Sequence, residues 1–313
     1  MKVIYSGWNN REFMIAYEKY IYDKLGFGEP DILNCEEFLG RNFSFFIFEK
    51  ENKNYMVLLD ADDGSGIALD NCKLFEDERL MLMEKYNVVD YIIFKMQYSS
   101  KSPHNDCYPY SHKTYPLGYF PYFPNHIAEF KKSWNIFTPQ DIDFLWIGTV
   151  NYEDNPPIWP KGLDKKHWQL GQRIKGFETI KSIKEKRPEW NIVVSSNTTT
   201  YFDYLALVMR SKVCLELPGV GNLTTRFFEN LQLDKCILGK KIYLELPYEI
   251  VPDKHYASID DWGQLEHKMD ELINDQGKRF DIIRNVRKLQ PKLTYEYAFK
   301  QMINTIENWL TKL

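Results

Sequence analysis

Residues Tyr204 to Lys241, YLALVMRSKVCLELPGVGNLTTRFFENLQLDKCILGKK, decide how this chain is read. A helical stretch ending near Ser211 gives way to the apolar run Val213 to Leu217, a buried strand. Pro218-Gly219-Val220-Gly221 then lets the backbone turn tightly. Asn222 or Thr224 can cap a second helix. On that helix Leu223, Phe227, Phe228 and Leu231 form one apolar stripe, while Arg226 and Glu229, three apart, share a face outside it. Cys236 to Leu238 closes the stretch as a short strand. A loop that leaves the carboxyl end of a buried strand and enters a helix N-terminus offers free N–H groups and a positive dipole end, both suited to a phosphate. Arg226 offers charge and a planar donor fork, and Glu229 an acceptor for paired hydroxyls. The competing reading is a solvated intrahelical ion pair worth ~0.3 kcal/mol.

The same strand-loop-helix rhythm extends outward. Upstream, the strand Asp143 to Ile147 ends in Gly148-Thr149, and a Pro- and Trp-rich loop from Asn151 to Gly162 precedes a helix around His167 to Lys186. The strand Asn191 to Val194 runs into Ser195-Ser196-Asn197 and then the helix Tyr201 to Ser211. Downstream come a short strand at Tyr256 to Ser258 and helices over Trp262 to Asn274, Lys278 to Lys288 and Tyr295 to Leu313. The N-terminal half has strands at Lys2 to Tyr5, Phe43 to Phe48, Tyr55 to Leu59 and Tyr91 to Met96, with helices at Arg11 to Leu25 and Glu76 to Lys85. Gln97 to Pro124, with five prolines, reads as one long irregular loop. Alternation of this kind indicates two α/β halves with mostly parallel sheets and a C-terminal helical tail.

The bulk numbers agree with two domains: 313 residues exceed what one core usually serves, and 44 % hydrophobic with 27 % charged residues is a globular composition. The 16 % aromatic content rises together with Asn, Ile and Lys, which fits base-composition bias better than an aromatic binding surface. A net charge of −4 argues against nucleic acid as the main partner. Cys35, Cys72, Cys107, Cys214 and Cys236 are scattered without CxxC spacing, which favours reduced thiols and a cytoplasmic compartment over a disulfide frame or zinc site. No run of about 18 apolar residues occurs, so no membrane anchor is expected. A GxSxG elbow, a Walker loop and a GxGxxG fingerprint are all missing, which lowers the hydrolase, NTPase and dehydrogenase readings.

The run SKVCLELPGVGNLTTRFFENLQLDKCILG resembles the C-terminal signature of GT-B-fold glycosyltransferases, in particular the exostosin-like and spore-maturation-like families. The resemblance covers Asp143 to Gly239. It departs from the family pattern at Asp234-Lys235-Cys236, where Gly-Cys is usual. It implies an N-terminal acceptor-binding domain over 1–130, a nucleotide-sugar donor domain over 141–290, and a final helix over 291–313 that packs back on the N-terminal domain. Two Rossmann-like domains would face a cleft. It implies that Arg226 holds phosphate and Glu229 the ribose or sugar hydroxyls, on a loop formed by Pro218, Gly219, Gly221, Asn222, Thr224 and Thr225. Gly148 and Thr149 would open the donor domain, Arg173 and Lys175 would be phosphate contacts, and Ser195, Ser196 and Asn197 would lie at a strand end where ligands of open α/β sheets bind. The co-substrate would be a nucleotide diphosphate sugar and the acceptor a glycan hydroxyl, with no metal or other cofactor required.

Asp60-Ala61-Asp62-Asp63 supports a rival reading. A DxD after an apolar strand resembles the metal motif of GT-A glycosyltransferases, in which carboxylates hold Mn²⁺ or Mg²⁺. The GT-A region before that motif is normally longer, and this reading leaves the Tyr204 to Lys241 stretch without a role. In a GT-B frame, Asp60 or Asp62 would be the general base for an acceptor hydroxyl. An acidic turn before Gly64 is the plain alternative. A non-catalytic nucleotide- or carbohydrate-binding protein is a further alternative.

Overall fold

A computed structural model of the chain describes residues 4–5, 31–32, 43–60, 79–96, 98–99, 111–118, 124–134, 139–150, 168–196, 199–219 and 223–313. The expected helix at Arg11 to Leu25 and the loop at Asn151 to Gly162 lie outside them. The chain divides into two units. One comprises Met1–Tyr119, Tyr243–Pro247 and Thr294–Leu313, the other Phe120–Ile242 and Tyr248–Leu293.

In the first unit, β1 (Ile4–Tyr5) and β2 (Asp31–Ile32) form a short parallel pair. A four-stranded sheet has β3 (Phe43–Lys50), β4 (Lys53–Asp60), β5 (Val88–Lys95) and β6 (Thr114–Pro116) in that order. The β4–β5 and β5–β6 pairs are parallel, whereas β3–β4 is an antiparallel hairpin. Its turn is Glu51-Asn52, with φ of 52° and 60°. A two-residue hairpin turn needs both central residues left-handed, and it is usually announced by Asn-Gly or Asp-Gly. Strand β6 lies within the segment expected to be irregular. It is three residues long and ends in Pro116, which an edge position tolerates. Buried side chains cover both faces of β3 and β4: Phe45, Ile47, Met56 and Leu58 on one, Phe46, Phe48, Val57 and Leu59 on the other. Strands buried on both faces read as continuous apolar runs, as FSFFIF and YMVLL do.

The C-terminal helix, Tyr295–Leu310, is capped by the Thr294 hydroxyl and packs within this unit. Trp309 meets Phe48 and Tyr55 edge-on at 6.1 and 5.8 Å, and its indole N–H donates to Asp90 at 3.1 Å. The Asp90 carboxyl lies below the usual range: burial opposes this, and hydrogen bonds from Lys113, the Tyr91 backbone and Trp309 outweigh it.

The second unit is a five-stranded parallel sheet of β7 (Ile142–Ile147), β8 (Ile192–Ser195), β9 (Ser211–Glu216), β10 (Cys236–Lys240) and β11 (Ala257–Ile259), in the order β11-β10-β9-β7-β8. Its helices are α1 (Pro124–Ser133), α2 (Trp168–Lys186), α3 (Tyr201–Arg210), α4 (Thr225–Gln232), α5 (Leu265–Asn274) and α6 (Gln276–Leu289). Numbered along the chain, the strands run 2-1-3-4-5 from the β8 edge. This is one of the doubly wound orders, and it has a topological switch point between its first and third strands, here β7 and β9. Leu223, Phe227, Phe228 and Leu231 of the focal stretch are buried as the apolar stripe required.

The departure at Asp234 has a physical explanation. After α4 the chain needs a left-handed residue before β10, a position that glycine usually fills. Asp234 takes it with φ of 57°. Its carboxylate is held there by Gln290 at 2.7 Å, Lys131 at 2.9 Å and Arg287 at 3.2 Å.

Candidate functional site

The carboxyl ends of β7, β8 and β9 bring together most of the described candidate residues. The Gly148 amide, just beyond β7, donates to the Ser195 carbonyl at the end of β8 at 3.0 Å. Arg226, in the first turn of α4, donates through Nη1 to the Ile147 carbonyl and lies 5.8 Å from the centre of the Trp146 ring. Its guanidinium occupies the space where a side chain at residue 148 would begin: a Cβ on Gly148 would sit 2.9 Å from Cζ and 2.8 Å from Nη2. Gly148 therefore leaves open the space that the Arg226 guanidinium occupies. Residues 78 positions apart in sequence form one feature at the switch point.

Arg173 on α2 is 3 % exposed. Its Nε donates to the Pro218 carbonyl at 2.5 Å and Nη1 to the Thr149 carbonyl at 2.8 Å. The guanidinium ties the loop after β7 to the loop after β9. Lys175 is 60 % exposed and 4.0 Å from the similarly exposed Asp261, a solvated pair that contributes little. Neighbouring Gly176 faces the fold, where a Cβ would collide with Leu217 and Trp262. Lys175 thus stands at the surface while its helix is pinned behind it.

Two carboxylates sit beneath the loop. Glu229 is 3 % exposed, not on a solvated face, so the surface ion-pair reading fails. The Tyr201 hydroxyl donates to its Oε1 at 3.3 Å. Burial pushes the Glu229 carboxyl up to about 7, against the pull of Arg226 and of the tyrosine hydrogen bonds. Glu216, the last residue of β9, is 8 % exposed and accepts a hydrogen bond from the Thr224 hydroxyl. Burial raises its carboxyl as well, opposed by Arg226, Thr224 and Arg173. Thr224 occupies the N-cap position of α4 but makes no side-chain cap bond, because its hydroxyl is turned to Glu216. A cavity of about 10 Å³, room for roughly one water, is bordered by Tyr204, Glu216, Arg226 and Asn230 and otherwise by apolar side chains such as Leu145, Val208 and Leu215.

Glu216 and Tyr201 belong to this arrangement, yet neither was a candidate from sequence. A carboxylate inside the otherwise apolar strand CLEL was the available signal for Glu216: a buried parallel strand tolerates a charge only where it is paired. Of the other candidates, Ser195 ends β8, Ser196 is exposed, Pro218 and Gly219 are buried after β9, and Thr225 opens α4. Asn197, Gly221, Asn222 and Asp62 lie outside the described residues.

Asp60 is placed differently from the sequence expectation. It is the last residue of β4, beside Lys95 at the end of β5. The two side chains are 3.2 Å apart and both 0 % exposed. A carboxylate this deep, with an ammonium on it, is a core ion partner rather than an exposed turn residue.

No family model matches the sequence, and no curated protein matches it. Among solved structures, a sucrose-phosphate synthase from Thermosynechococcus elongatus is similar with a TM-score of 0.41 and 12 % identity, over 82 % of this chain and 68 % of that one. WaaG, a glycosyltransferase involved in lipopolysaccharide biosynthesis, gives 0.40 and 12 % over 79 % of this chain and 74 % of its own. An α,α-trehalose-phosphate synthase (UDP-forming) from Burkholderia vietnamiensis gives 0.40 and 8 % over 81 % and 61 %. Likenesses of this size carry no argument about chemistry.

Proposed function

We propose that this chain is a glycosyltransferase that moves a sugar from a nucleotide diphosphate sugar to a hydroxyl of a glycan acceptor, with the donor seated on the second unit. The observation that carries the reading is the convergence of Gly148, Ser195, Pro218, Gly219 and Arg226 at the switch point of a 2-1-3-4-5 parallel sheet. Open α/β sheets bind ligands in the crevice outside the carboxyl ends of their strands at such a point. The family resemblance of the same stretch supports a diphosphate there.

In the proposed reaction, the bond between the anomeric carbon and the diphosphate oxygen breaks as the acceptor oxygen bonds to that carbon. Negative charge grows on the diphosphate. Arg226 and the N–H groups at the start of α4 are fixed positive groups of the kind that stabilise it without reorganising. Glu229, whose carboxyl burial pushes up to about 7, accepts ribose or sugar hydroxyls. Because Arg226 and the helix end supply this charge, turnover is expected to survive chelation of divalent metal. With Asp60 committed to Lys95, Asp62 is the proposed base for the acceptor proton.

The test is release of nucleoside diphosphate from UDP, GDP, ADP and CDP sugars, for the full chain and for Arg226→Ala. One donor base is expected to be turned over, and the variant to lose at least about ten-fold in kcat/KM, the loss of a single charge-assisted contact. Unchanged affinity and turnover in Arg226→Ala would remove Arg226 from the site. Binding without release or transfer would make the chain a nucleotide-binding protein that is not an enzyme.

A further inference from the structure

We infer that Glu216 is a positioning residue for the donor site: its buried carboxyl fastens the start of α4 to the end of β9 through the Thr224 hydroxyl. The inference rests on the donor-site reading above. Glu216 and Thr224 are eight residues apart and close the base of the Pro218-Gly219 loop by a side-chain bond. Arg173 holds the same loop further out, at the Pro218 carbonyl, and anchors it to Thr149 across the switch point. Pro218 and Thr224 are thus each held from a neighbouring element, with Arg226 next to Thr224. Strand β10 is shaped to allow this. A Cβ on Gly239 would come within 3.0 Å of the Glu216 carbonyl oxygen and 3.1 Å of its Cβ, so the glycine keeps the space in which Glu216 stands.

What marks Glu216 as a positioning residue is its bond: the carboxyl accepts from the hydroxyl of Thr224, the N-cap residue of α4. A carboxamide has the same shape and keeps an oxygen that can accept from Thr224, so the fastening needs an acceptor rather than a charge. Removing either end should act through the other.

The experiment uses the full chain and inorganic pyrophosphate as probe, with Glu216→Ala, Glu216→Gln, Thr224→Val and the Glu216→Ala/Thr224→Val double variant. Calorimetry is expected to show pyrophosphate binding about ten-fold weaker in Glu216→Ala and in Thr224→Val, no weaker in the double variant than in the singles, and restored to within about two-fold in Glu216→Gln. Hydrogen exchange without ligand, over Leu217 to Gly219 and Leu223 to Arg226, is expected to quicken in Glu216→Ala, Thr224→Val and the double variant and stay slow in Glu216→Gln. The proposal is overturned if Glu216→Gln binds as weakly as Glu216→Ala, if the two single losses multiply in the double variant, or if the variants only lower the melting temperature and leave affinity and exchange unchanged. If the unmodified chain does not bind pyrophosphate, the donor-site reading falls and the positioning role with it. Binding with an unresponsive Glu216→Ala overturns the positioning role alone.

Discussion

Replacing Glu229 with Gln should stabilise the second unit in a pH-dependent way. The carboxyl is 3 % exposed and pushed up to about 7 by burial, against 4.5 when unperturbed. At pH values below 4.5 it is protonated whether the chain is folded or not, and its stabilising contribution relative to the ionised form is complete. As pH rises from 4.5 to 7, the unfolded chain loses this proton while the folded chain still holds it. Stability falls at about 1.4 kcal/mol per pH unit. Above 7 both states are ionised and the slope vanishes. The total is on the order of 3 kcal/mol, comparable with breaking a buried hydrogen-bonded charge. Glutamine cannot ionise, so the difference between wild type and Glu229→Gln cancels the titrations remote from it, including the carboxylates of Asp141, Glu189 and Asp261 that lie below their ordinary values, and leaves Glu229 with its coupled neighbour Glu216. Urea unfolding at half-unit steps from pH 4.5 to 8.5 should show the wild type losing ground to the variant up to about pH 7 and a constant difference beyond. A difference curve that is flat throughout would mean that Glu229 ionises as it does in water, and the buried site would be wrong.

Two further outcomes follow from contacts in the structure. Gly148→Ala places a Cβ against the Arg226 guanidinium, the far end of a flexible side chain. The backbone should therefore survive at a cost of roughly 1–2 kcal/mol for the displaced hydrogen bond, while calorimetry shows nucleoside diphosphate binding weakened at least about ten-fold; a variant that binds normally would separate Arg226 from the ligand. Asp60→Ala removes one member of a fully buried ion pair, which should cost about 3–5 kcal/mol in urea unfolding of the first unit. A catalytic base would behave in the opposite way, with stability unchanged and turnover abolished.

Much of the second unit was legible because its strands and helices alternate with clear punctuation. The stripe Leu223, Phe227, Phe228 and Leu231 could be placed on one helix face from spacing alone, and the structure buries all four. The hairpin of β3 and β4 was not legible, since Glu51-Asn52 adopts a double left-handed turn without the glycine that announces one. At the site, the sequence placed Arg226 and the glycines by local pattern. It could not show that Arg226 lies over Gly148, because that contact depends on the switch in strand order that sets β7 beside β9. Arg173 was singled out for its charge, but its partners include two backbone carbonyls from distant loops. Glu216 escaped notice because a single glutamate does not disturb a strand pattern, although its burial with Thr224 makes it part of the site. Asp60 misled for the converse reason: a carboxylate after an apolar strand looks exposed until Lys95, 35 residues on, is seen beside it.

Isothermal titration of UDP, GDP, ADP and CDP into the full chain, repeated with Arg226→Ala, tests the central claim most directly. The account predicts that at least one of the four binds with one site per chain, and that its affinity falls at least about ten-fold in the variant. Binding of none of them, or binding that the loss of Arg226 does not change, would contradict a diphosphate site at the β7–β9 switch point.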